Sequence, residues 1–168
     1  MMIVDRLNQL DEASLVAALA QCCAAPRWVE AMAAGRPFAS DENLLTQASE
    51  IWHWLGHDDF LAAFAAHPKI GDVESLRAKY AATRAWASGE QAGVVAASQE
   101  VLERLAKLNH EYERKFGYIF IVCATGKTAA EMLAILESRL PNDPDAELQI
   151  ASAEQLKITL LRLQKLAP

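Results

Sequence analysis

Only one segment of this chain has the composition of a β-strand, and this constrains the fold more than any other feature. Residues Tyr118 to Ala124, YIFIVCA, are rich in β-branched and aromatic residues. A single strand has no partner within the chain, so we expect a buried extended segment or a helix there, and no β-sheet. Elsewhere apolar residues recur at spacings of three and four, as at Leu15, Leu19 and Cys22, which predicts helices. The predicted fold class is all-α: one domain over residues 1–168, a single irregular bundle of about eight helices.

Proline, glycine and capping residues predict where the helices begin and end. Pro26 suits the first turn of a helix, where its missing N–H is not needed, and Gly35 suits the end of the same helix. Ser40 is a predicted N-cap for a helix that runs to Gly56. A cap at Asp58 or Asp59 is predicted for the next helix, and a weaker helix is predicted from Glu74 to about Trp86.

The second half of the chain has three more predicted helices. The first is long and runs from a capping box at Ser88 and Gln91 to Phe116, with Gly117 as its stop, and the second is capped by Thr128 and Glu131. The last runs from Pro144 to about Leu166, and its apolar residues include Leu148, Ile158, Leu161 and Leu163.

The segment from His67 to Asp72, HPKIGD, interrupts this helical pattern. The residue before a proline is disfavoured in the α region, so the helix through Phe60 to Ala66 is expected to end at His67. Gly71 then permits a turn that a side chain would resist. The prediction is a titratable imidazole at a helix end, in a position to face a cleft.

Charge and cysteine content restrict the class of protein. The 168 residues are 52% apolar and carry a net charge of -6, which argues against general binding to nucleic acid or anionic membranes. The three cysteines form no disulfide framework, which favours a reducing compartment. No apolar run approaches the ~20 residues of a membrane span, and the N-terminus lacks the apolar region of a signal peptide. We therefore expect a soluble cytoplasmic protein that binds neither nucleic acid nor membrane.

Two motifs invite functional interpretations that their context opposes. Thr125 to Thr128, TGKT, is similar to part of a phosphate-binding loop, but Ile121 stands where that loop requires glycine. A loop that leads into a helix cap is the preferred interpretation. His53 and His57 have a spacing that can hold zinc on a helix. Gly56 is expected to end the helix there and no glutamate follows His53, so no metal site is predicted.

Three other regions make His67 a stronger candidate than a lone histidine. Glu90 and Gln91 open the long helix, whose N-terminus offers free N–H groups to an anion. Residues Phe120 to Ala124 offer extended backbone donors and acceptors. Arg162 stands in the apolar sequence LLRL, and a buried arginine requires an anionic partner. Together these residues supply an acid or base, a carboxylate, an amide, a polar backbone strip and a cation.

Five short motifs, in this order along the chain, carry a resemblance to a known family. The sequence resembles the 2-oxo-4-hydroxy-4-carboxy-5-ureidoimidazoline (OHCU) decarboxylases, the last enzymes of the route from urate to allantoin. The resemblance covers nearly the whole chain. The motifs are Arg36-Pro37-Phe38, His67-Pro68 with Gly71, Glu90-Gln91-Ala92-Gly93, Lys115 to Phe120 (KFGYIF) and Leu161-Arg162-Leu163.

This resemblance implies roles for the matching residues. His67 matches the catalytic histidine, regarded as the proton donor, and Glu90 is implied as a second catalytic residue. The implied substrate-binding residues are Pro68, Ala87, Ser88, Gly89, Glu90, Gln91, Phe120, Ile121, Val122, Cys123, Ala124 and Arg162. The family carries a serine where this chain has Ala87, so its hydrogen bond is either missing here or made by Ser88. The family is all-helical, typically homodimeric and needs no cofactor.

The implied reaction is the cofactor-independent decarboxylation of OHCU to (S)-allantoin, with stereospecific protonation assisted by His67. The substrate carboxylate stands next to a ring C=N bond, which can accept the electrons that CO2 leaves behind. The enzyme must therefore orient the carboxylate, polarise the ring and deliver one proton to one face.

Three alternatives remain open at the level of sequence. One is a helical small-molecule-binding module in which His67 and Pro68 only end a helix. Another is a family member with a shifted substrate, indicated by the departure at Ala87. The third is a metal-dependent hydrolase that uses His53, His57 and His67 with Asp58 or Asp59.

Overall fold

Every regular element of the described chain is a helix. The computed structural model describes residues 2–69, 73–78 and 92–166, with side chains described from residue 99 onward in the last range. The helices are α1 (Ile3–Gln9), α2 (Glu12–Cys22), α3 (Pro26–Ala34), α4 (Asp41–Trp54), α5 (His57–Ala65), α6 (residues 73–78), α7 (Ala92–Phe116), α8 (Ala129–Arg139) and α9 (Pro144–Gln164). These ranges contain no β-strand, which confirms the all-α class. None of the described helices is long and apolar enough to cross a membrane.

The chain divides into two compact units, and the first contains α1–α5 and most of α9. It comprises Met1–His67, Ile121–Cys123 and Ala151–Pro168. Two buried tryptophans fix helices within it through their indole N–H groups. Trp28 donates to the carbonyl of Ala48 at 3.1 Å, and Trp52 donates to that of Ser152 at 3.0 Å. The largest fully buried side chains of this unit are Trp28, Trp52, Phe64, Leu7, Leu15, Leu19, Met32, Leu44 and Leu163.

The second unit is built around the packing of α7 against α8. It comprises Pro68–Phe120 and Ala124–Ile150. The long helix α7 presents Leu105 and Tyr112, which are 2% and 0% exposed, and α8 presents the fully buried Leu136. These side chains give α7 and α8 a shared apolar interior, although both helices are otherwise rich in charged residues.

Most helix ends lie where capping chemistry predicts them. Pro26 opens α3, and the hydroxyl of Ser40 accepts the N–H of Asn43 at 3.0 Å at the start of α4. The expectation of an Asp58 or Asp59 cap for α5 is wrong, because Gly56 is the N-cap. Asp59 lies three residues further on, and its carboxylate reaches back to accept the N–H of Gly56 at 3.1 Å.

The segment from Tyr118 to Ala124 is neither helix nor strand, which confirms the expectation that it forms no sheet with the described residues and excludes the alternative of a helix. Gly117 ends α7 with φ +85°, and its N–H donates to the carbonyl of Glu113 at 2.8 Å. A left-handed residue at this position is a common way to end a helix, and glycine adopts it without steric cost. The chain therefore leaves α7 directly into this segment.

The buried face of α9 is largely polar, which the apolar pattern of the sequence does not predict. Leu163 is buried as expected, but Leu148, Ile158 and Leu161 are only half-buried. Polar side chains take the positions that an apolar stripe would usually occupy. The buried residues of α9 are Glu147, Ala151, Ser152, Gln155, Thr159 and Leu163.

Candidate functional site

The predicted site residues fall into three groups in the structure. Ala87, Ser88, Gly89, Glu90 and Gln91 lie outside the described residues, as do Ile70, Gly71, Asp72 and the capping box at Ser88. The first compact unit contains His67, Ile121, Val122, Cys123 and Arg162. The second contains Pro68, Phe120 and Ala124.

His67 lies just beyond the end of α5, as the following proline predicts. Its backbone N–H donates to the carbonyl of Phe64 at 3.2 Å, which closes the last turn. The side chain is half-buried, and Nε2 lies 2.5 Å from Oε1 of Gln155 on α9. The imidazole is therefore held against the middle of α9.

Gln155 belongs to a buried chain of hydrogen bonds. Gln155 and Thr159 are each 1% exposed. The amide Nε2 of Gln155 donates to Oγ1 of Thr159 at 3.1 Å, and that hydroxyl donates to the backbone carbonyl of Gln155 at 3.0 Å. Thr159 also contacts the thiol of Cys23, whose pKa is raised by burial. The His67 ring is thus connected, through two polar side chains, to the interior of the first unit.

The segment Ile121–Cys123 contacts α9 at Glu154, the residue before Gln155. The backbone N–H of Cys123 donates to Oε1 of Glu154 at 3.3 Å. Glu154 also forms an ion pair with Lys157 at 2.5 Å, and its side chain is 13% exposed. Because Glu154 already engages the N–H of Cys123, a substrate contact through that N–H requires Glu154 to move aside.

Arg162 is half-buried rather than buried. Its guanidinium donates to the backbone carbonyl of Gln21 at 3.4 Å, and none of the ion pairs among the described residues involves it. The expectation of a buried arginine is therefore wrong: Arg162 is partly exposed, although the neighbouring Leu163 is 0% exposed. Arg162 follows Gln155 by seven residues, roughly two turns or 10 Å along α9, so the two lie on the same side of the helix.

In the second unit, Phe120 packs in an aromatic and ionic cluster. Its ring lies 5.3 Å from that of Tyr112, and the guanidinium of Arg139 lies 4.7 Å from its centroid. Arg139 forms a buried ion pair with Glu147 at 2.5 Å, and the hydroxyl of Tyr112 donates to the same carboxylate. Burial, followed by this hydrogen bond, raises the pKa of Tyr112. The cluster holds the first residue of the strip Phe120 to Ala124 in place.

The other two predicted residues of this unit make simpler contacts. Pro68 is exposed. The carbonyl of Ala124 accepts the N–H of Lys127 at 3.0 Å, which closes the turn that precedes α8.

The residues proposed for a metal-dependent hydrolase do not converge. His53 is exposed on α4 and its Nδ1 lies 2.7 Å from the carbonyl of Ser49. His57 opens α5, exposed, beside Asp58. Among the described residues no three His, Cys, Asp or Glu side chains are grouped as metal ligands. An open groove of about 720 Å³ beside α3 and α4, lined in part by the exposed Trp54, contains none of the predicted site residues.

Sequence reasoning missed Glu154 and Gln155, which hold Cys123 and His67. In the structure, positions 147, 151, 155, 159 and 163 recur every four residues and form the buried face of α9. Three of these five positions are polar, and polar residues on a buried helix face are usually there for a specific partner. The partners themselves are not visible in the sequence.

Comparison with known proteins gives consistent matches. A sequence model of OHCU decarboxylase matches residues 8–164. The "Uric acid degradation bifunctional protein TTL" of Arabidopsis thaliana is 40% identical over 146 residues, which are 86% of this chain and 45% of that protein. The OHCU decarboxylase of Amia calva is 34% identical over 132 residues, 77% of this chain and 74% of that one. A crystal structure of OHCU decarboxylase in the presence of (S)-allantoin is similar with a TM-score of 0.70 at 38% identity, covering 88% of this chain and 94% of that one. The chain spans less than half the length of the Arabidopsis protein.

Proposed function

This chain belongs to the OHCU decarboxylase family, the carboxy-lyases of uric acid degradation, and we propose that it converts 2-oxo-4-hydroxy-4-carboxy-5-ureidoimidazoline to (S)-allantoin. The observation that carries this proposal is the position of His67. The residue that matches the family's catalytic histidine ends a helix with its ring anchored to a buried amide, at 2.5 Å from Gln155. Such an anchor orients an imidazole for proton transfer.

The substrate supplies most of the driving force for this reaction. Its carboxylate leaves as CO2 from a carbon next to the ring C=N, and the bonding electrons move into that imine. One proton is then taken up at the ureido-bearing carbon, so one proton is consumed for each CO2 released. Because the imine is the electron acceptor, the chemistry requires no added cofactor, and the protein must position groups and choose the face that is protonated.

His67 is proposed to deliver that proton. Its ring is half-buried, and the residue lies just beyond the end of α5 rather than within a helix. Imidazole titrates near neutral pH and can both donate and accept protons in that range. Glu90 is proposed to hold His67 or the ureido N–H groups.

The remaining predicted residues are proposed to bind the substrate. Arg162 supplies positive charge on the same side of α9 as the anchor of His67, which suits a substrate carboxylate. Backbone groups of Phe120 to Ala124 are proposed to bind the ring carbonyl and ureido edges, with Pro68 and residues 87–91 completing the site. Cys123 and His67 contact neighbouring residues of α9, which supports this assignment, and a substrate contact through the N–H of Cys123 requires Glu154 to move aside.

We further propose that the protein works as a cytoplasmic homodimer. The dimer rests on the family resemblance. A reducing compartment is supported by Cys22, Cys23 and Cys123, three buried cysteines that form no disulfide.

The handedness of the product tests the reaction directly. Freshly generated OHCU decays without enzyme to racemic allantoin, which has no circular dichroism. The purified protein is expected to produce a growing dichroic signal of the S enantiomer and to speed the loss of substrate. A racemic product formed at the uncatalysed rate would reject the decarboxylase proposal.

A further inference from the structure

We infer that Gln155 is a positioning residue that fixes the tautomer of His67, so that Nδ1 is the basic nitrogen of the neutral ring. This inference rests on the proposed function for its catalytic consequence, but its structural part stands on the hydrogen bonds of the free protein. Gln155 is 88 residues from His67 in the sequence, and no sequence motif links them.

The orientation of the Gln155 amide follows from its other partner. A threonine hydroxyl has one proton, and Thr159 gives that proton to the backbone carbonyl of Gln155. Towards the amide of Gln155, Thr159 can therefore only accept. The NH2 group of the amide must face Thr159, which leaves the carbonyl oxygen Oε1 facing His67.

This orientation determines which ring nitrogen of His67 carries the proton. Oε1 is only an acceptor, so the contact of 2.5 Å is a hydrogen bond only if Nε2 of His67 is protonated. Neutral imidazole carries a single N–H, so a proton on Nε2 makes Nδ1 the unprotonated nitrogen. To deliver a proton to the substrate, His67 first takes up a second proton on Nδ1 from solvent and then donates that proton, while Nε2 stays bound to Gln155.

Burial stabilises this orientation of the Gln155 amide. Gln155 and Thr159 are each 1% exposed, so water does not compete for the amide. A flipped amide would direct its NH2 group at His67 and its oxygen at the hydroxyl of Thr159, whose only proton is already donated to the carbonyl of Gln155. Both contacts would then require rearrangement, and an unsatisfied buried polar group is costly.

Nitrogen-15 NMR of the histidine rings tests the tautomer in the free protein. The chain has four histidines, so comparison with His67→Asn assigns the His67 signals. In wild-type protein, at a pH where His67 is neutral, we expect Nε2 to be the protonated nitrogen. In Gln155→Leu, which removes the acceptor, we expect a mixture of tautomers. A wild-type ring protonated at Nδ1, or a Gln155→Leu spectrum equal to wild type, would overturn the inference.

Two further variants separate positioning from folding. Gln155→Glu keeps an acceptor oxygen and is expected to keep the Nε2–H tautomer, and a ring protonated at Nδ1 in this variant would contradict the inference. Ser152→Ala is the matched control, because Ser152 is buried one turn away on α9 and bonds to Trp52 rather than to His67. It is expected to leave the His67 signals unchanged, and it shows whether disturbing this face of α9 alone alters the ring.

Kinetics complete the test. Gln155→Leu is expected to lower kcat at least ~10-fold with a change in KM below ~3-fold, since orientation of a proton donor acts in the transition state. An unchanged kcat would overturn the catalytic part of the inference. The tautomer inference and the proposed function can fail independently. The NMR measurement tests the tautomer without substrate, whereas absence of OHCU turnover by the wild-type protein would reject the proposed function.

Discussion

Glu154 and Gln155 are consecutive residues that hold two distant segments of the chain. Glu154 binds the backbone of Cys123, and Gln155 binds the ring of His67. Adjacent side chains on a helix point about 100° apart, so two neighbours can serve different segments without competing. At this scale the candidate site depends on α9 as much as on the motif that contains the histidine.

The thiol of Cys22 provides a test of burial at the residue scale. Burial raises the pKa of Cys22 to about 11, against the opposing positive charge of Arg162. At pH 8 roughly one Cys22 in a thousand is therefore a thiolate, the form that reacts with alkylating agents. We expect Cys22 to resist iodoacetamide in the native protein at pH 8 and to react in denaturant, as followed by mass spectrometry. Rapid alkylation of the native protein at Cys22 would show that this part of the interior is open.

At the scale of elements, helices of this protein are joined by charged groups as well as by apolar contacts. The carboxylate of Asp41, in the first turn of α4, accepts the N–H groups of Ile3 and Val4 at 3.2 and 3.0 Å. It thus caps α1 from another helix and satisfies two donors that would otherwise lack an intrahelical partner. In the second unit, the ion pair of Arg139 and Glu147 joins α8 to α9 in the same way.

Breaking the buried ion pair of Arg139 and Glu147 is expected to lower the free energy of unfolding substantially. The two residues are 5% and 0% exposed. Glu147→Gln removes the negative charge and leaves Arg139 charged in a buried site, which should lower the free energy of unfolding by about 3 kcal/mol. Urea denaturation measures this change.

Glu137→Gln is the matched control for that substitution. Glu137 pairs with Arg104 at 2.8 Å, but both side chains are about half exposed, at 43% and 54%. The loss of such a pair should cost less than about 1 kcal/mol. Equal effects of the two substitutions would contradict the importance assigned to the buried pair.

At the scale of the whole molecule, the all-α class follows from local patterns, whereas the contacts of the site do not. Helix caps such as Ser40 and the stop at Gly117 depend on neighbouring residues, so the sequence predicts them correctly. Which face of α9 is buried depends on what packs against it, and its buried Gln155 and Thr159 could not be predicted from apolar spacing. His67 was found because a proline follows it, but its partner lies 88 residues away.

Some of the functional residues predicted from the family resemblance lie on α9 or contact it in the structure. It places His67 and Cys123 on contacts with the same helix, and it shows Arg162 half-buried on that helix. The roles of Glu90 and Gln91 stay predictions, since both lie outside the described residues. Their positions depend on tertiary packing, which local sequence patterns do not specify.

The rate of OHCU decarboxylation by His67→Asn tests the central claim most directly. Asparagine keeps a polar side chain at this position but cannot act as an acid or base near neutral pH. His53→Asn is the matched control, because His53 is an exposed histidine on α4. With freshly generated substrate and stopped-flow detection, His67→Asn should lose ~100- to 10,000-fold in kcat while His53→Asn keeps the wild-type rate. A folded His67→Asn protein that turns over substrate at the wild-type rate would contradict the account.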